Sequence, residues 1–278
     1  MAAIRFSLFI AMLVLAGCKA EPEPAPPRRE TVVAGHCEQR RFEGASFTAC
    51  RYDARRDEIA LPVEDAQGPM RGFDRLGASL GNRRGRLLFA MNAGMYDDQG
   101  RPIGLHVENG RQRHAINLRN GPGNFHLKPN GVFAVAADGR VAIVRSEDMR
   151  TASRPHWATQ SGPLLVIGGK LHPRFQANGP SLHIRNGVGV ADARTAWFVI
   201  SDQPVSFGRF ARFFRDSLGC PNALFFDGTV SSLWDPAAGR RDDAYPIGPM
   251  IAVFREAPDR NRRSPVLAPK GERHGVQG

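Results

Sequence analysis

Two aspartates follow short apolar runs in the second half of the chain. Asp202 comes after the run 197–200, and Asp227 ends the run 223–226. Between them, residues 206–218 repeat apolar side chains at helical spacing, which predicts a helix. Two short apolar strands joined by one helix pair most naturally in parallel, with the helix crossing over the sheet. The pattern therefore predicts both carboxylates at the carboxyl ends of adjacent strands, where open α/β sheets bind ligands.

Hydroxyl side chains follow Asp227 and would line the same crevice. They are Thr229, Ser231 and Ser232. Carboxylate oxygens are also ligands that divalent metals prefer. Asp97 and Asp98 form a second acidic pair, but neither pair has the ligand spacing of an EF-hand or of a His-x-x-x-His motif. We therefore predict no metal or other cofactor, and a divalent ion bound by Asp202 with Asp227, or by Asp97 with Asp98, is the alternative.

The elements that must position these residues alternate strand patterns with turns. Ser206 can cap the predicted helix, and Gly219 suits the left-handed residue that ends it. Apolar or alternating runs predict strands at 46–52, 87–91, 103–108, 111–116, 131–135, 141–144, 158–166, 183–190 and 245–254. Polar residues interrupt the strand predicted at 158–166. The predicted fold is α/β, or mixed α+β, with a central mixed β-sheet and flanking helices.

The composition is that of one globular domain. The chain has 278 residues, of which 42% are hydrophobic and 23% are charged, and its formal net charge is +11. Arginine-rich usage accounts for this charge. No basic run interleaved with aromatic residues occurs in the predicted domain, so we predict no nucleic-acid partner. A diffuse positive field favours anionic substrates or an anionic membrane surface.

The amino terminus has the pattern of an export signal. Arg5 precedes an apolar segment, 6–16, which is too short for a comfortable membrane span. The segment ends in Leu15-Ala16-Gly17-Cys18, which resembles the lipobox of bacterial lipoproteins. The resemblance implies cleavage before Cys18 and lipidation of that residue. Because Lys19 rather than Asp follows, we expect a lipid anchor at the periplasmic face of the outer membrane. An ordinary signal peptide with a chance cysteine is the alternative.

Proline and charge patterns divide the chain into four parts. The parts are a signal peptide at 1–18, a Pro-rich linker at 19–35, a folded domain at 36–256 and a disordered tail at 257–278. Because an exported protein meets an oxidising compartment, we expect a disulfide between Cys37 and Cys50. Cys220, at the entrance to an apolar strand, is expected to be a buried hydrophobic residue rather than a catalytic thiol.

Four motifs together resemble the phosphodiester glycosidase family across residues 87–254. They are Asn92-Ala93-Gly94-Met95-Tyr96, Ser161-Gly162-Pro163-Leu164-Leu165, Arg185-Asn186-Gly187-Val188-Gly189 and Phe226-Asp227-Gly228-Thr229-Val230-Ser231-Ser232. The best-known member of that family removes N-acetylglucosamine from a phosphodiester. Three motifs depart from the family pattern, at Ala93 and Met95, at Asn186 and Gly187, and at Thr229 and Val230. The resemblance therefore implies a shared domain but does not name the sugar.

The resemblance also implies roles for individual residues. Breaking the bond between a sugar and a phosphate releases a stable anion, so a strong general acid is less necessary than in ordinary glycoside hydrolysis. Asp227 would stabilise the developing oxocarbenium ion, and Arg185 would hold the phosphate as a fork. Asp202 or His126 would act as the base. The residues that would bind substrate hydroxyls and oxygens are Asn92, Ser161, Asn186, Ser231 and Ser232.

Three functions compete at this point. The first is hydrolysis of a glycosyl phosphodiester, a sugar-1-phosphate diester, in envelope or extracellular polysaccharide. The second is a carbohydrate-binding or envelope-assembly lipoprotein without catalysis. The third is a metal-dependent phosphodiesterase that cuts the P–O bond. Activity abolished by Asp227→Asn with the fold intact would exclude the second function, whereas saccharide binding unaffected by the same substitution would support it. A chelator would stop the third.

Overall fold

A computed structural model describes residues 35–149 and 154–257 of the chain. The predicted signal peptide, lipidation site, nearly all of the linker and the tail after Ala257 lie outside the described residues. In the part that is described, no helix is both long and apolar enough to cross a membrane.

Strands dominate the described residues. In chain order they are β1 (Cys37–Phe42), β2 (Ala45–Asp53), β3 (Asp57–Ala60), β4 (Glu64–Asp65), β5 (Gly68–Pro69), β6 (Leu87–Asn92), β7 (His106–Glu108), β8 (Arg111–His114), β9 (Gly131–Val135), β10 (Val141–Arg145), β11 (Trp157–Ser161), β12 (Leu164–Ile167), β13 (Lys170–Leu171), β14 (Asn186–Asp192), β15 (Thr195–Ser201), β16 (Asn222–Phe225), β17 (Leu233–Asp235), β18 (Arg240–Arg241) and β19 (Met250–Arg255). The helices are α1 (Phe73–Ser79) and α2 (Phe207–Arg212), and short helical turns span Gly81–Arg86, Asn124–His126, Ser146–Asp148 and Phe213–Ser217.

Three larger sheets carry the fold, and a two-stranded sheet, β4-β5, accompanies them. The first sheet has the order β1-β2-β15-β14-β16-β12-β13, the second β10-β9-β11-β7-β8, and the third β18-β17-β6-β19-β3. Within the described ranges, the paired strands are antiparallel throughout. The α/β prediction is therefore only roughly right, because strands predominate and the expected mixed sheet is absent from the described residues.

The predicted parallel pairing of the strands at 197–200 and 223–226 is wrong. β14 lies between β15 and β16 and pairs with each of them in antiparallel fashion. Gly187 makes this possible, because a Cβ there would lie 2.5 Å from the Leu224 carbonyl oxygen. A side chain on Gly189 would meet Phe214 and Cys220 in the same way. Both glycines thus permit a close approach of other groups of the same chain.

The first sheet is buried on both faces. On one face, Phe198 packs against Phe89 and Phe133 of the other two sheets, with ring centroids 5.5 and 5.6 Å apart. On the opposite face, α2 and its continuation supply Phe210 and Phe213 to a second core cluster. Burying each such side chain stabilises the fold by about 1.5–3 kcal/mol. Burial on both faces explains why the run 197–200 is apolar throughout.

Local predictions for the helix and the cysteines are confirmed. Ser206 caps α2, with its Oγ accepting a hydrogen bond from the Arg209 backbone N–H at 3.2 Å. Gly219 has a φ of 63°, which is the left-handed conformation. Cys37 and Cys50 form the expected disulfide between β1 and β2. Cys220 is buried, and this burial raises the pKa of its thiol to about 12, so it is not an activated nucleophile.

Residues 158–166 cross between sheets instead of forming one interrupted strand. β11 belongs to the second sheet, and β12 belongs to the first. Gly162 lies at the crossing, where a Cβ would meet both Asn130 and the Phe125 carbonyl oxygen at 2.7 Å. The crossing places Ser161 beside the ends of two sheets.

Candidate active site

Two buried asparagines connect the first and third sheets at one end of the fold. Asn92 is the last residue of β6, and Asn186 is the first residue of β14. Nδ2 of Asn186 donates to Oδ1 of Asn92 at 2.8 Å and to its backbone oxygen at 3.0 Å. Both side chains are fully buried, where a satisfied polar network fixes one relative position of the two strands.

The same asparagines hold the loop 227–232, which we call the Asp227 tip. The Asp227 backbone N–H donates to Oδ1 of Asn186 at 3.1 Å, and the Ser232 backbone N–H donates to Oδ1 of Asn92 at 2.8 Å. Ser231 Oγ donates to the Asp227 carbonyl oxygen at 2.9 Å, which closes the tip on itself. These backbone donors also identify which side-chain atom of each asparagine is oxygen.

Several residues that the sequence assigns to substrate binding instead form hydrogen bonds with backbone groups of the protein itself. Ser161 Oγ donates to the Phe226 carbonyl oxygen at 2.8 Å, and Ser232 Oγ donates to the Val230 carbonyl oxygen at 2.9 Å. Asn186 uses its amide for Asn92 and the tip. Their contacts shape the position of Asp227 before any substrate is bound.

One buried donor in this network has no partner. Nδ2 of Asn92 makes no hydrogen bond to any group in the described part of the chain. Leaving a buried amide N–H unpaired costs free energy, so native proteins satisfy such groups with a ligand or an ordered water. Nδ2 of the fully buried Asn92 is thus the donor in this network that can still form a hydrogen bond to an oxygen atom.

Asp227 is a carboxylate without a cation. Its only side-chain partner among the described residues is the Thr229 backbone N–H, which donates to Oδ1 at 3.1 Å. Burial raises the pKa of Asp227 above the ordinary aspartate value, and the hydrogen bond from Thr229 opposes this shift. A partly desolvated, unpaired carboxylate at a loop tip is suited to proton transfer or to stabilising a developing positive charge.

Tyr96 is close enough to Asp227 to sense its charge, and the sequence analysis did not assign it to the site. Burial and the charge of Asp227 raise the pKa of the Tyr96 phenol to about 12, so it stays protonated near neutral pH. Its hydroxyl donates to the Pro246 carbonyl oxygen at 2.9 Å. The available signal was its position as the last residue of the first motif, four residues after Asn92.

Arg185 is buried on the α2 face of the first sheet. Its guanidinium lies 3.6 Å from the centre of the Phe207 ring, Nε donates to the Val205 carbonyl oxygen, and Nη2 donates to the Ser181 carbonyl oxygen. Desolvation lowers the pKa of Arg185 to about 10, so the group is still charged at neutral pH. Of the three guanidinium nitrogens, Nη1 is the one without a hydrogen-bond partner within the described ranges. It would therefore have to bind the phosphate if Arg185 has the predicted role.

Asp202 and Asp227 lie at the same end of the first sheet but in separate networks. β14 lies between β15, which precedes Asp202, and β16, which precedes Asp227. The backbones of β15 and β16 are therefore roughly 9–10 Å apart, because neighbouring strands lie about 4.7–4.9 Å from each other. Asp202 Oδ1 accepts hydrogen bonds from Thr48 Oγ1 at 2.9 Å and from Arg240 Nη1 at 2.8 Å. Oδ2 of Asp202 is buried and has no partner among the described residues.

His126 lies in the helical turn Asn124–His126. Its Nδ1 is 3.0 Å from the Arg119 carbonyl oxygen, and its ring packs on Gly121. The described residues include no direct contact between this ring and the Asp227 tip. They also include no group of three or more His, Cys, Asp or Glu side chains arranged to hold a metal.

A family model described as "Phosphodiester glycosidase" matches residues 85–254. The chain belongs to the phosphodiester glycosidase family. Asn92, Ser161, Asn186 and Asp227 lie inside the matched part, so the network described above is built from residues of the family domain.

Proteins similar to this phosphodiester glycosidase domain come from bacteria and from zebrafish. The uncharacterized protein YigE of Escherichia coli K12 is 40% identical over 175 residues, which cover 63% of this chain and 68% of that protein. The catalytic domain of zebrafish N-acetylglucosamine-1-phosphodiester α-N-acetylglucosaminidase, auto-inhibited by its pro-peptide, is similar with a TM-score of 0.51 and 14% identity, covering 79% of this chain and 82% of that one. A putative exported protein of Burkholderia pseudomallei K96243 has a TM-score of 0.53 and 12% identity, covering 76% and 74%. At these identities the two structures show a shared fold.

Proposed function

We propose that this phosphodiester glycosidase domain hydrolyses a glycosyl phosphodiester in envelope or extracellular polysaccharide. The observation that supports the proposal is the unpaired, partly desolvated carboxylate of Asp227, held by two buried asparagines inside the family domain. The family assignment suggests the substrate class. The name of the similar zebrafish enzyme suggests an α-linked N-acetylglucosamine-1-phosphodiester as the first compound to test.

The chemistry follows from the charges that develop. The bond between the anomeric carbon and the phosphate oxygen breaks, and the phosphate monoester leaves with the bonding electrons. Water bonds to the anomeric carbon and gives its proton to a base. Asp227 stabilises the positive charge on the sugar ring in the transition state. Because the leaving group is already a stable anion, the site functions without a strong general acid.

The remaining residues supply position and proton transfer. The free Nδ2 of Asn92 donates to a substrate oxygen, which satisfies the one buried donor that the network leaves unpaired. Asp202, with its unpartnered Oδ2, and His126 are the two candidates for the base. Arg185 binds the phosphate only if substrate reaches Nη1 on the α2 face.

Two other functions predict different results. A carbohydrate-binding or envelope-assembly lipoprotein would bind saccharide equally well with and without the Asp227 charge. A metal-dependent phosphodiesterase would cut the P–O bond and lose activity in chelator.

The deciding experiment is hydrolysis of a panel of sugar-1-phosphodiesters by the detergent-solubilised chain in oxygen-18 water. We expect label in the released sugar, and we expect Asp227→Asn to abolish turnover while Asp138→Asn, an exposed turn residue, leaves it unchanged. Label in the phosphate would establish P–O cleavage. Saccharide binding without turnover of any substrate would favour the binding protein.

We also propose that the protein is lipid-anchored through Cys18 at the periplasmic face of the outer membrane. Growth with labelled palmitate should label the full-length protein, and Cys18→Ser should remove the label. A wild-type chain without label would contradict the anchor but leave the enzymatic proposal intact.

A further inference from the structure

A cleft opens between the start of α1 and the segment 242–247. Its volume is about 240 Å³, and the residues that line it include Arg71, Asp74, Asp242, Asp243, Tyr245 and Pro246. Pockets that enclose a whole drug-sized ligand measure about 300–1,000 Å³, so this cleft suits one part of a larger substrate.

Tyr96 connects the cleft with the Asp227 tip. Its hydroxyl donates to the Pro246 carbonyl oxygen at 2.9 Å, and its ring occupies the space where any side chain on Gly248 would lie. On the other side, Asn92, four residues before Tyr96, holds the tip through the Ser232 backbone N–H at 2.8 Å, and the Ala93 backbone N–H donates to the Pro249 carbonyl oxygen at 2.8 Å. Substrate bound across Tyr96 would reach both the tip and the cleft.

Arg71 forms hydrogen bonds to two segments that lie near Tyr96. Its Nη1 donates to the Asp98 carbonyl oxygen at 2.7 Å, in the turn that follows Tyr96, and its side chain packs on Gly100. Its own carbonyl oxygen accepts a hydrogen bond from the Ile247 backbone N–H at 3.2 Å. These contacts fix Arg71 between the turn that follows Tyr96 and the segment 242–247.

The charge of Arg71 is not neutralised by a carboxylate in the described part of the chain, whereas the other cations around the cleft are paired. Arg240 pairs with Asp202 and Asp242, and Arg241 pairs with Asp74 and Asp243. The three carboxylates that line the cleft are therefore each matched by an arginine. Nε of Arg71 is buried and has no partner among the described residues. A planar guanidinium with free donors binds phosphate oxygens in a fork geometry that lysine cannot copy.

Tyr245 gives the cleft an aromatic wall. Tyr245 is 60% exposed, which is a larger fraction than is usual for an aromatic residue. An exposed ring beside a cationic group can pack against the apolar face of an alcohol attached to a phosphate.

We infer that this cleft binds the leaving-group half of the substrate, with Arg71 holding the phosphate and Tyr245 contacting the alcohol esterified to it. The inference rests on the proposed function and refines it, because it moves the phosphate site from Arg185 to Arg71. Arg71 lies before residue 85, where the family match begins, so the family motifs do not point to it.

The test measures product binding, which requires no turnover. The full-length chain in detergent is titrated with inorganic phosphate and with glucose 6-phosphate by calorimetry at low ionic strength. We expect Arg71→Gln to weaken both ligands by about tenfold to a hundredfold, the loss typical of one charge-assisted contact, and Arg71→Lys to recover part of the affinity. Tyr245→Ala should weaken the sugar phosphate more than inorganic phosphate. Arg101→Gln is the matched control. Arg101 lies in the turn that Arg71 contacts, but it is paired with Asp97, so this variant should bind both ligands as the wild type does.

Each outcome decides the inference. Wild-type affinity in Arg71→Gln, or no phosphate binding by the wild-type chain, would overturn it. Weaker phosphate binding in a folded Arg185→Lys variant, with Arg71→Gln unaffected, would return the phosphate to Arg185. Hydrolysis that depends on Asp227 but not on Arg71 would reject the cleft and keep the proposed function. Binding that depends on Arg71 in a chain without hydrolysis would keep the phosphate site and reject the proposed function.

Discussion

At the level of single residues, neutral amides rather than ion pairs hold the candidate active site. Asn92 and Asn186 fix the Asp227 tip through backbone N–H groups, and neither side chain carries a charge that would compensate Asp227. An arginine or lysine in the same place would stabilise the carboxylate and lower its pKa. The amides instead leave Asp227 with a raised pKa and a site that favours positive charge in a transition state.

The raised pKa of Asp227 predicts a pH dependence. Because burial disfavours the charged carboxylate, acidification should remove the active form at a pH above the ordinary aspartate value of about 3.9. The midpoint of the acid limb of kcat/KM, measured between pH 3 and pH 8, checks this. A limb at or below the ordinary value would contradict it.

The same shift has a consequence for stability. A carboxyl whose folded-state pKa is raised contributes stability below its unfolded pKa, and that contribution is lost as pH rises through the folded value. We therefore expect Asp227→Asn to be at least as stable as the wild type at neutral pH, with the advantage disappearing in acid. Urea unfolding at neutral and acidic pH measures this difference in stability, and Asp148→Asn, at an exposed position, serves as the control.

Removing the Asn186 side chain should loosen the tip. Asn186→Ala leaves the Asp227 N–H without its acceptor and removes the hydrogen bonds from Nδ2 of Asn186 to Asn92, and an unsatisfied buried group costs about 1–3 kcal/mol. We expect a lower urea midpoint and a lower kcat/KM. Asn120→Ala, at an exposed loop position, should change neither, and a wild-type midpoint in Asn186→Ala would count against this role.

At the level of elements, close backbone contacts decide how the strands meet at the site. Gly94 follows β6 and lies against β11, with its N–H donating to Thr159 Oγ1 at 3.2 Å. β11 then crosses to the first sheet through Gly162, which places Ser161 against the Phe226 carbonyl oxygen. Gly94 and Gly162 thus allow β6, β11 and the first sheet to approach each other closely.

A methyl group at Gly94 should disturb this junction. In Gly94→Ala the Cβ would overlap the Gln160 carbonyl oxygen and Thr159 Oγ1, and overpacking of this kind costs about 1–3 kcal/mol. Gly85→Ala is the matched control, since nothing lies within 4 Å of a Cβ there. Equal urea midpoints for the two variants would show that the junction can relax.

At the level of the whole molecule, the disulfide ties an edge strand to the first sheet. β1 pairs only with β2 in that sheet, and the cysteines are 13 residues apart in sequence. Closing a loop of about this length stabilises a protein by roughly 3 kcal/mol. We expect reductant to lower the urea midpoint accordingly. A Cys37→Ala and Cys50→Ala double variant should start low and not respond to reductant, and an unchanged wild-type midpoint would contradict the prediction.

The sequence alone determined the local features of this protein. The capped helix after Ser206, the left-handed Gly219, the Cys37–Cys50 disulfide and the motifs of the phosphodiester glycosidase family were all predictable. Each depends on residue types close together in the chain or on a pattern that a family shares.

Only the tertiary structure decided which strands and side chains are neighbours. It inserted β14 between β15 and β16, turned Arg185 toward α2, and placed Arg71 between the turn after Tyr96 and the segment 242–247. Apolar runs specify that a strand is buried, but several partners satisfy that requirement equally well. The choice among them depends on packing between distant segments, such as the contact that Gly187 permits with Leu224, and no local pattern contains that information.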